Sequence, residues 1–526
     1  MTRRLTVFCL AALLTVFAVP AMAATFRWSR DADVASLDPY MRNETLQLSL
    51  LGNVYEPLVS RGHDLQLEPA LATSWRQVAP LVWRFELRRG VQFQNGEPFS
   101  AADVVFSYQR AAGTNSKIAL ALSAISDVRA VDAETVDIVT AMPDPTLPEE
   151  IVPWDIMSAA WCQAHGATAV ADPTAAGDYA AGHADGTGPF IIESRIPGEQ
   201  TVLVANPNWW GKPVGNVDRA IFNPIADDAA RLAALTAGSI DMIAGVPPED
   251  TATLAQMPGV RIVHVASTQT IFLGFRHIRV VKKVGQPARI NPLADRRVRA
   301  AFAHAIDENA IITTVMHGLA TPAGLIVGPG VRGFDPALNQ RPAHDPALAR
   351  QLLIAAGYAD GFAVTMDCPN DRYLNDTAIC QAVVADLAKI GVRVTLVMQP
   401  RSQYFPKLLD PGRGSDFYLM GWRSANDDAI DALVNLAATR SDALQAGAFN
   451  VGGYSNATLD ALVARARHEP LGKERTTLLR AALAIVKDDA AYIPLHQVDV
   501  VWAVRGLVSV RPRGDGSFAL SDVRVK

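Results

Sequence analysis

Cysteine is scarce in this chain of 526 residues: four in all, with no Cys-x-x-Cys pair. The ten histidines include no two that stand three or four residues apart, so no helical two-histidine metal site is encoded locally. There is no HExxH, no phosphate-binding GxxxxGK[ST] loop and no GxSxG elbow, which removes the local signatures of a zincin, a P-loop nucleotidase and an α/β-hydrolase. Charged residues make up only 19% of the chain and the net charge is −5, with no block of Lys or Arg. A nucleic-acid partner would want a basic stripe, so none is expected. No fixed-period repeat is present, which argues against a solenoid.

The length is too great for one compact core and predicts two or three domains. With 49% apolar residues and nine Trp, the composition is globular. The first 23 residues read as a secretory signal: Arg3 and Arg4, then an apolar run from Leu5 to Val19, Pro20, and the A-x-A site Ala21-Met22-Ala23. The mature chain is expected to start at Ala24. The apolar run, at about 15 residues, falls short of the roughly 20 that span a bilayer, and no later run reaches that length. Cys9 lacks the small-residue approach of a lipoprotein site. Removing the signal takes away two arginines and no acid, so the charge moves from −5 to −7. Export allows disulfides. Cys368 and Cys380 flank the polar stretch PNDRYLNDTAI and are expected to pair, leaving Cys162 odd; the alternative is two buried free thiols.

Periodicity predicts mixed α/β structure. Trp83, Phe85 and Leu87 alternate with Arg84, Glu86 and Arg88, as in a half-buried strand. Asn95-Gly96 marks a turn, and Ser100 with Asp103 forms a shortened capping box. Strands are expected at Thr25–Trp28, Ile221–Pro224, Ile240–Ile243, Phe362–Met366 and Val392–Met398, with a hairpin over 129–140. Helices are expected at Leu46–Tyr55, Asp227–Ala237, Asp295–His317, Asp376–Ile390, Leu459–Arg467 and Arg475–Lys487, and one after the Asp345-Pro346 cap. Residues 164–187 read as a surface loop. Gly328, Gly330 and Gly333 match GxGxxG, but Asp335-Pro336 follows instead of a helix, so this is a turn. Of the acidic pairs, Asp227-Asp228 and Asp488-Asp489 read as solvated. Asp427-Asp428 differs: it follows Gly421-Trp422-Arg423 in a loop after the apolar strand Phe417–Met420, an arrangement suited to a zwitterion.

The segment WRFELRRGVQFQNGEPFSAADVVFSYQR (Trp83–Arg110) closely resembles the block LRxGVxFxxGxPFxAxDVxxS of the family 5 solute-binding proteins, the peptide- and nickel-type receptors of bacterial ABC importers. LATSW (Leu71–Trp75), GTGPF (Gly186–Phe190), NPNWWG (Asn206–Gly211), RVRAAFAHAID (Arg297–Asp307), DPALARQLLIAAGY (Asp345–Tyr358) and IPLHQ (Ile493–Gln497) resemble further blocks in the family order. The resemblance implies an α/β, two-lobed periplasmic binding protein fold of the large peptide-binding type II class. Lobe I would comprise residues 24–61, 182–271 and 496–526, interrupted by an inserted subdomain at 62–181; lobe II would span 272–495. Thr270–Arg276 and Ile493–Gln497 would be the crossovers.

The implied function is capture of a peptide or peptide-like solute by hinge closure and delivery to ABC permease subunits in the inner membrane. The protein would act in the periplasm as a monomer, without catalysis, cofactor or resident metal. Alternatives are a receptor for a non-peptide solute (an opine, a sugar conjugate or a metal complex) and a secreted hydrolase. In peptide-binding relatives an Asp three residues after the loop Trp pairs with the peptide ammonium. Here that position is Ala425, so either Asp427 or Asp428 substitutes or the ligand lacks the ammonium. The pocket residues that the resemblance implies are Trp422 for stacking, Arg423, Asp427 and Asp428 for charge, Tyr404 and Tyr40 for contact, and Arg372 and Arg413 for a carboxylate.

Overall fold

The computed structural model describes residues 24–41, 45–172, 178–281, 289–410 and 414–526. The expected signal segment and Arg413 lie outside them.

Alternation in the Trp83 region becomes a strand, Val82–Leu87, with Trp83, Phe85 and Leu87 buried. It pairs antiparallel with Ala72–Ala79 and Thr135–Thr140, and Ile125–Asp132 completes a four-stranded sheet. The following helix, Ala101–Ala111, starts where the Ser100 N–H donates to Asp103 Oδ2 at 2.9 Å. Asp103 Oδ1 accepts the Ala159 N–H at 3.0 Å, so one carboxylate both caps the helix and ties down a later segment. The helix's Arg110 meets Asp38, from the Ser36–Tyr40 turn, with both side chains fully buried.

A second sheet of eleven strands runs through the whole molecule. At one end, Thr25–Arg30 lies parallel between Arg219–Pro224 and Met242–Ala244. The helix Asp228–Ala237 connects the two outer strands; Asp227 caps it by accepting the Ala230 N–H, and Gly238 ends it in a left-handed conformation. At the other end, Phe362–Pro369 lies parallel between Val392–Gln399 and Phe417–Trp422. Two long antiparallel strands, Val260–Phe275 and Tyr492–Arg505, join the ends. Their lower halves pair Val260–Ala266 with Arg505–Asp499, and Met242–Ala244 adds to that side. Their upper halves pair Thr270–Gly274 with Gln497–Tyr492, and Phe417–Trp422 adds there. The register shifts between Ala266 and Thr270.

The structure departs from the sequence-based element bounds at several places. The joining strands extend well beyond Thr270–Arg276 and Ile493–Gln497; in the first, exposed polar residues such as Arg261 and His264 interrupt the apolar pattern. The helix expected over Asp295–His317 is two, Arg296–Ala305 and Glu308–Thr314. Asp307 breaks it: its side chain caps the second helix at Ala310 N–H, and its own N–H donates to Asp386. Leu46–Tyr55 is helical only as far as Leu51. The stretch read as loop contains a one-turn helix, Tyr179–Gly182.

One buried apolar cluster spans Phe26–Val59, the four-stranded sheet, Phe190–Ala244 and Trp502–Val523, so the four-stranded sheet shares one core with the segments before and after it. Two further clusters flank the second half of the sheet, around Phe302 and Leu387 on one face and Leu433 and Leu479 on the other. Cys368, near the end of Phe362–Pro369, is bonded to Cys380 in the helix Asp376–Ala388, and both are buried; Cys162 is buried alone.

The bond closes a short loop, and on a loop-entropy basis it contributes about 3 kcal/mol. The double variant Cys368→Ser/Cys380→Ser is expected to lose about that much in urea unfolding, with the wild type showing the same loss under reductant. An unchanged midpoint in both experiments would show that the bridge carries no stability.

Candidate functional site

Two walls face each other across a cavity of about 660 Å³. One wall is built from Ser60 and Arg61, Lys117 and Leu120, then Glu150 to Asp155. The other is the loop Arg423–Asp427 with Asp431 and Asn435. The C-terminal tail contributes Arg513, Asp515 and Ser517–Ala519.

The loop is built from below. Phe417–Trp422 is a buried central strand that delivers Trp422 to the sheet edge. Asp427 takes a left-handed backbone conformation, φ 48°, which turns the chain back. Asp428 then caps the next turn by accepting the Ile430 N–H at 2.9 Å. Its carboxylate is fully buried between two guanidiniums: Arg475 Nε lies 3.3 Å from Oδ2, and Arg332 Nη1 lies 3.5 Å from it. Asp428 is therefore the foundation of the loop and does not line the cavity, in contrast to the sequence expectation.

Asp427 is paired across the cleft. Its Oδ2 lies 3.1 Å from Arg61 Nε, with only 11% and 7% of the two side chains exposed. Burial pushes its carboxyl up, and Arg61 opposes that. Two more bridges cross: Arg332 Nη2 reaches the buried Glu149 at 2.7 Å, and Arg423 Nη1 donates to the Asp515 carbonyl at 3.0 Å. Arg423 is otherwise exposed in the cavity.

Asp431 is different. Trp422 Nε1–H donates to its Oδ2 at 2.9 Å, the Ala425 N–H to the same oxygen at 3.3 Å, and Asn435 Nδ2 to its Oδ1 at 3.0 Å. No cationic side chain among the described residues lies within salt-bridge range of it. Burial pushes the carboxyl up to about 6, against those three donors, so it stays ionised at neutral pH. Its carboxylate sits beside Ala425, whose side chain is exposed to the cleft.

Opposite lie two more carboxyls. Glu150 accepts from Thr146 Oγ1 at 3.0 Å; burial, then Asp144, pushes it up to about 8. Asp155 accepts no side-chain hydrogen bond from any described residue, and burial, then Glu56, pushes it up to about 8. Burial thus favours the neutral form of both. Behind them, Glu56 accepts from Trp209 Nε1, Trp210 Nε1 and Thr187 Oγ1 at 3.0, 2.8 and 2.8 Å. That one acid gathers the NPNWWG and GTGPF motifs under the cleft floor.

The remaining sequence candidates among the described residues do not line the cavity. Trp422 spends its indole N–H on Asp431 and packs its ring edge-on to Phe449. Tyr404 is buried, and its hydroxyl donates to the Leu419 carbonyl. Tyr40 is fully buried, donating to the Asp155 carbonyl at 2.6 Å, so it supports the floor from behind. Arg372 is exposed, with its guanidinium over the Tyr373 ring. Sequence reading missed Arg61, Lys117, Glu150, Asp155, Asp431, Arg513 and Asp515. Asp431 had a signal, since it stands three residues after Asp428 on a short helix, within reach of the same loop. The Asp489 carboxylate, read as solvated, accepts from Tyr454 and Asn456 at 2.6 and 2.9 Å.

Two layered halves on a shared sheet, joined by two strands and enclosing a polar cleft of mixed charge, define a two-lobed solute receptor. The chain belongs to the bacterial extracellular solute-binding proteins, family 5, whose model matches residues 66–443. It is 27% identical over 528 aligned positions to the glutathione-binding protein GsiB of Salmonella choleraesuis, with 97% of each chain covered. Among solved structures, HbpA2 from Haemophilus parasuis is 25% identical with a TM-score of 0.81, covering 95% of this chain and 100% of the other. The periplasmic murein tripeptide binding protein MppA, in an unliganded open form, is 23% identical with a TM-score of 0.79 over 96% of this chain and 97% of its own, which speaks to the fold.

Removing one partner of a buried ion pair leaves the other charge uncompensated, at about 3–5 kcal/mol. Arg475→Met is accordingly expected to lower the unfolding free energy by that order, whereas Arg423→Ala, in the open cleft, should stay within about 0.5 kcal/mol of wild type. Equal midpoints for the two variants in denaturant titration would refute this division of roles.

Proposed function

We propose that this protein is the exported receptor of an ABC importer that captures a short peptide or peptide-like zwitterion between its lobes and passes it to a membrane permease. The observation that carries the ligand class is Asp431. It is the cleft carboxylate that is ionised at neutral pH, unpaired by any described cation and held in place by three N–H donors. A ligand ammonium entering the cleft requires such a partner, because an unpaired buried charge is costly to desolvate. It thus takes over at Ala425 the part that Asp427 and Asp428 cannot play, one being paired with Arg61 and the other buried. Lys117 and Arg423, both exposed and without carboxylate partners among the described residues, suit the ligand's carboxylate end. The glutathione-binding relatives support the same class, since glutathione joins one ammonium to two carboxylates on a peptide frame. The joining strands, with their register shift, are the elements about which the lobes would close.

Calorimetry with glutathione, trialanine and N-acetyl-trialanine tests this reading. A free-amino ligand should bind, its acetylated form should bind at least tenfold more weakly, and Asp431→Asn should weaken the first by roughly 10- to 100-fold while sparing the second. Equal affinity for trialanine and its acetylated form would remove the ammonium reading. Absence of binding by any of the three to a folded protein would remove the peptide class.

The pH dependence follows from Asp431. Ionised above about 6, it attracts an ammonium; as pH falls through 6 it takes up a proton and the attraction is lost. Affinity for a free-amino peptide should therefore drop between pH 7 and pH 5, with proton release on binding near pH 6 visible in buffers of different ionisation enthalpy. A flat profile would exclude Asp431 as the charge partner.

A further inference from the structure

A second cavity, of about 330 Å³, lies in the second lobe and shares no lining residue with the interlobe cleft. Its walls are the helices Arg296–Ala305 and Lys473–Asp488, the segment Ala323–Ile326 and the start of the return strand at Tyr492–Pro494. The interior is apolar, with Ala303, Leu325, Ile326, Leu483, Val486 and Ile493. The charged groups at its margin are almost all of one sign: Arg296, Arg297, Arg341 and Lys487 against Asp488.

Only one of these four cations is neutralised by a carboxylate among the described residues. Arg297 is paired with Asp295. Arg341, Arg296 and Lys487 have no carboxylate within salt-bridge range among the described residues. Arg341 donates through Nη1 to the Pro494 carbonyl, while its Nη2 is buried without a hydrogen-bond partner. Lys487 donates to the carbonyls of Leu338 and Gln340 at 2.6 and 2.8 Å. Glu308, the acid whose field reaches Arg341, is itself held by His496 at 2.6 Å. A buried guanidinium nitrogen with no partner is costly, and an apolar hollow beside it is the setting in which an anionic ligand head repays that cost.

We infer that this cavity is a binding site for a small amphipathic monocarboxylate, a medium-chain fatty acid or an aryl-alkanoate, with its carboxylate on Arg341 and Lys487 and its apolar tail between the two helices. The volume suits one small organic molecule and is too small for a folded segment or a bulky cofactor. The site is independent of solute capture in the cleft and adjoins the strand that returns to the first lobe.

The probe is decanoate, with decanol as its uncharged counterpart, each competing with the fluorescent arylsulfonate 1-anilinonaphthalene-8-sulfonate on the native protein. One saturable dye site should be cleared by decanoate at concentrations on the order of tenfold lower than by decanol. Arg341→Met should erase that preference for the acid. Ala300→Phe, which fills the cavity from its half-buried rim, should abolish dye and decanoate binding together. Glutathione or trialanine binding in the cleft should be unchanged in both. If Arg341→Met fails to fold, the Ala300→Phe result decides. Equal displacement by acid and alcohol, or dye and decanoate binding that survives Ala300→Phe, would overturn the proposal.

Discussion

Everything in this molecule hangs on the pairing of two long strands. Val260–Phe275 and Tyr492–Arg505 each belong to both halves of the sheet, so each lobe is assembled on one end of a shared ladder. The ladder is interrupted where the lobes meet, at Ser267–Gln269. Other segments cover the gap: the Thr268 N–H donates to the Gly514 carbonyl at 3.3 Å, and Gly328 lies so close that a Cβ there would stand 3.2 Å from Thr268. Backbone pairing keeps the lobes in one sheet, and its local absence gives them a place to bend.

Around that joint the acids are sorted by what neutralises them. Asp428 is buried between two arginines and belongs to the scaffold. Asp427 and Glu149 are matched by arginines from the opposite side, so their pairing energy depends on how the lobes sit. Asp431 has hydrogen bonds but no cation partner among the described residues. Such a graded set lets one cleft be stiff at its base, responsive at its walls and receptive at its centre. Buried ion pairs stabilise little in net terms, yet they are strongly directional, which suits positioning better than holding.

Much of the fold was readable because it rests on local rules. The alternation at Trp83–Leu87, the caps at Ser100, Asp227 and Asp345, and the stop at Gly238 are written within a few residues, and the family resemblance supplied the two-lobed frame. The break at Asp307 was hidden because the flanking segments are both helical in pattern, and only the interior Asp marks it. The site was less readable. Trp422, Arg423 and Asp427 pointed to the loop that lines the cavity, but which of its charges are exposed there is decided by distant partners. Arg332 and Arg475 remove Asp428 from view, and Arg61 claims Asp427. The opposing wall, with Glu150 and Asp155, is assembled from segments almost three hundred residues away in sequence, and no local pattern announces it.

The loop between Trp422 and Asp428 stands between two posts that are secured by residues outside it. Trp422 is held by its strand and by Asp431, Asp428 by its arginines. The side chains at Arg423 and Ala425 lie between these posts and are exposed, so exchanging them disturbs neither the sheet nor the buried charges. Under the reading proposed above, a change of cargo is then a matter of rewriting a few letters on an interchangeable insert, while the machinery of capture around it stays as it was.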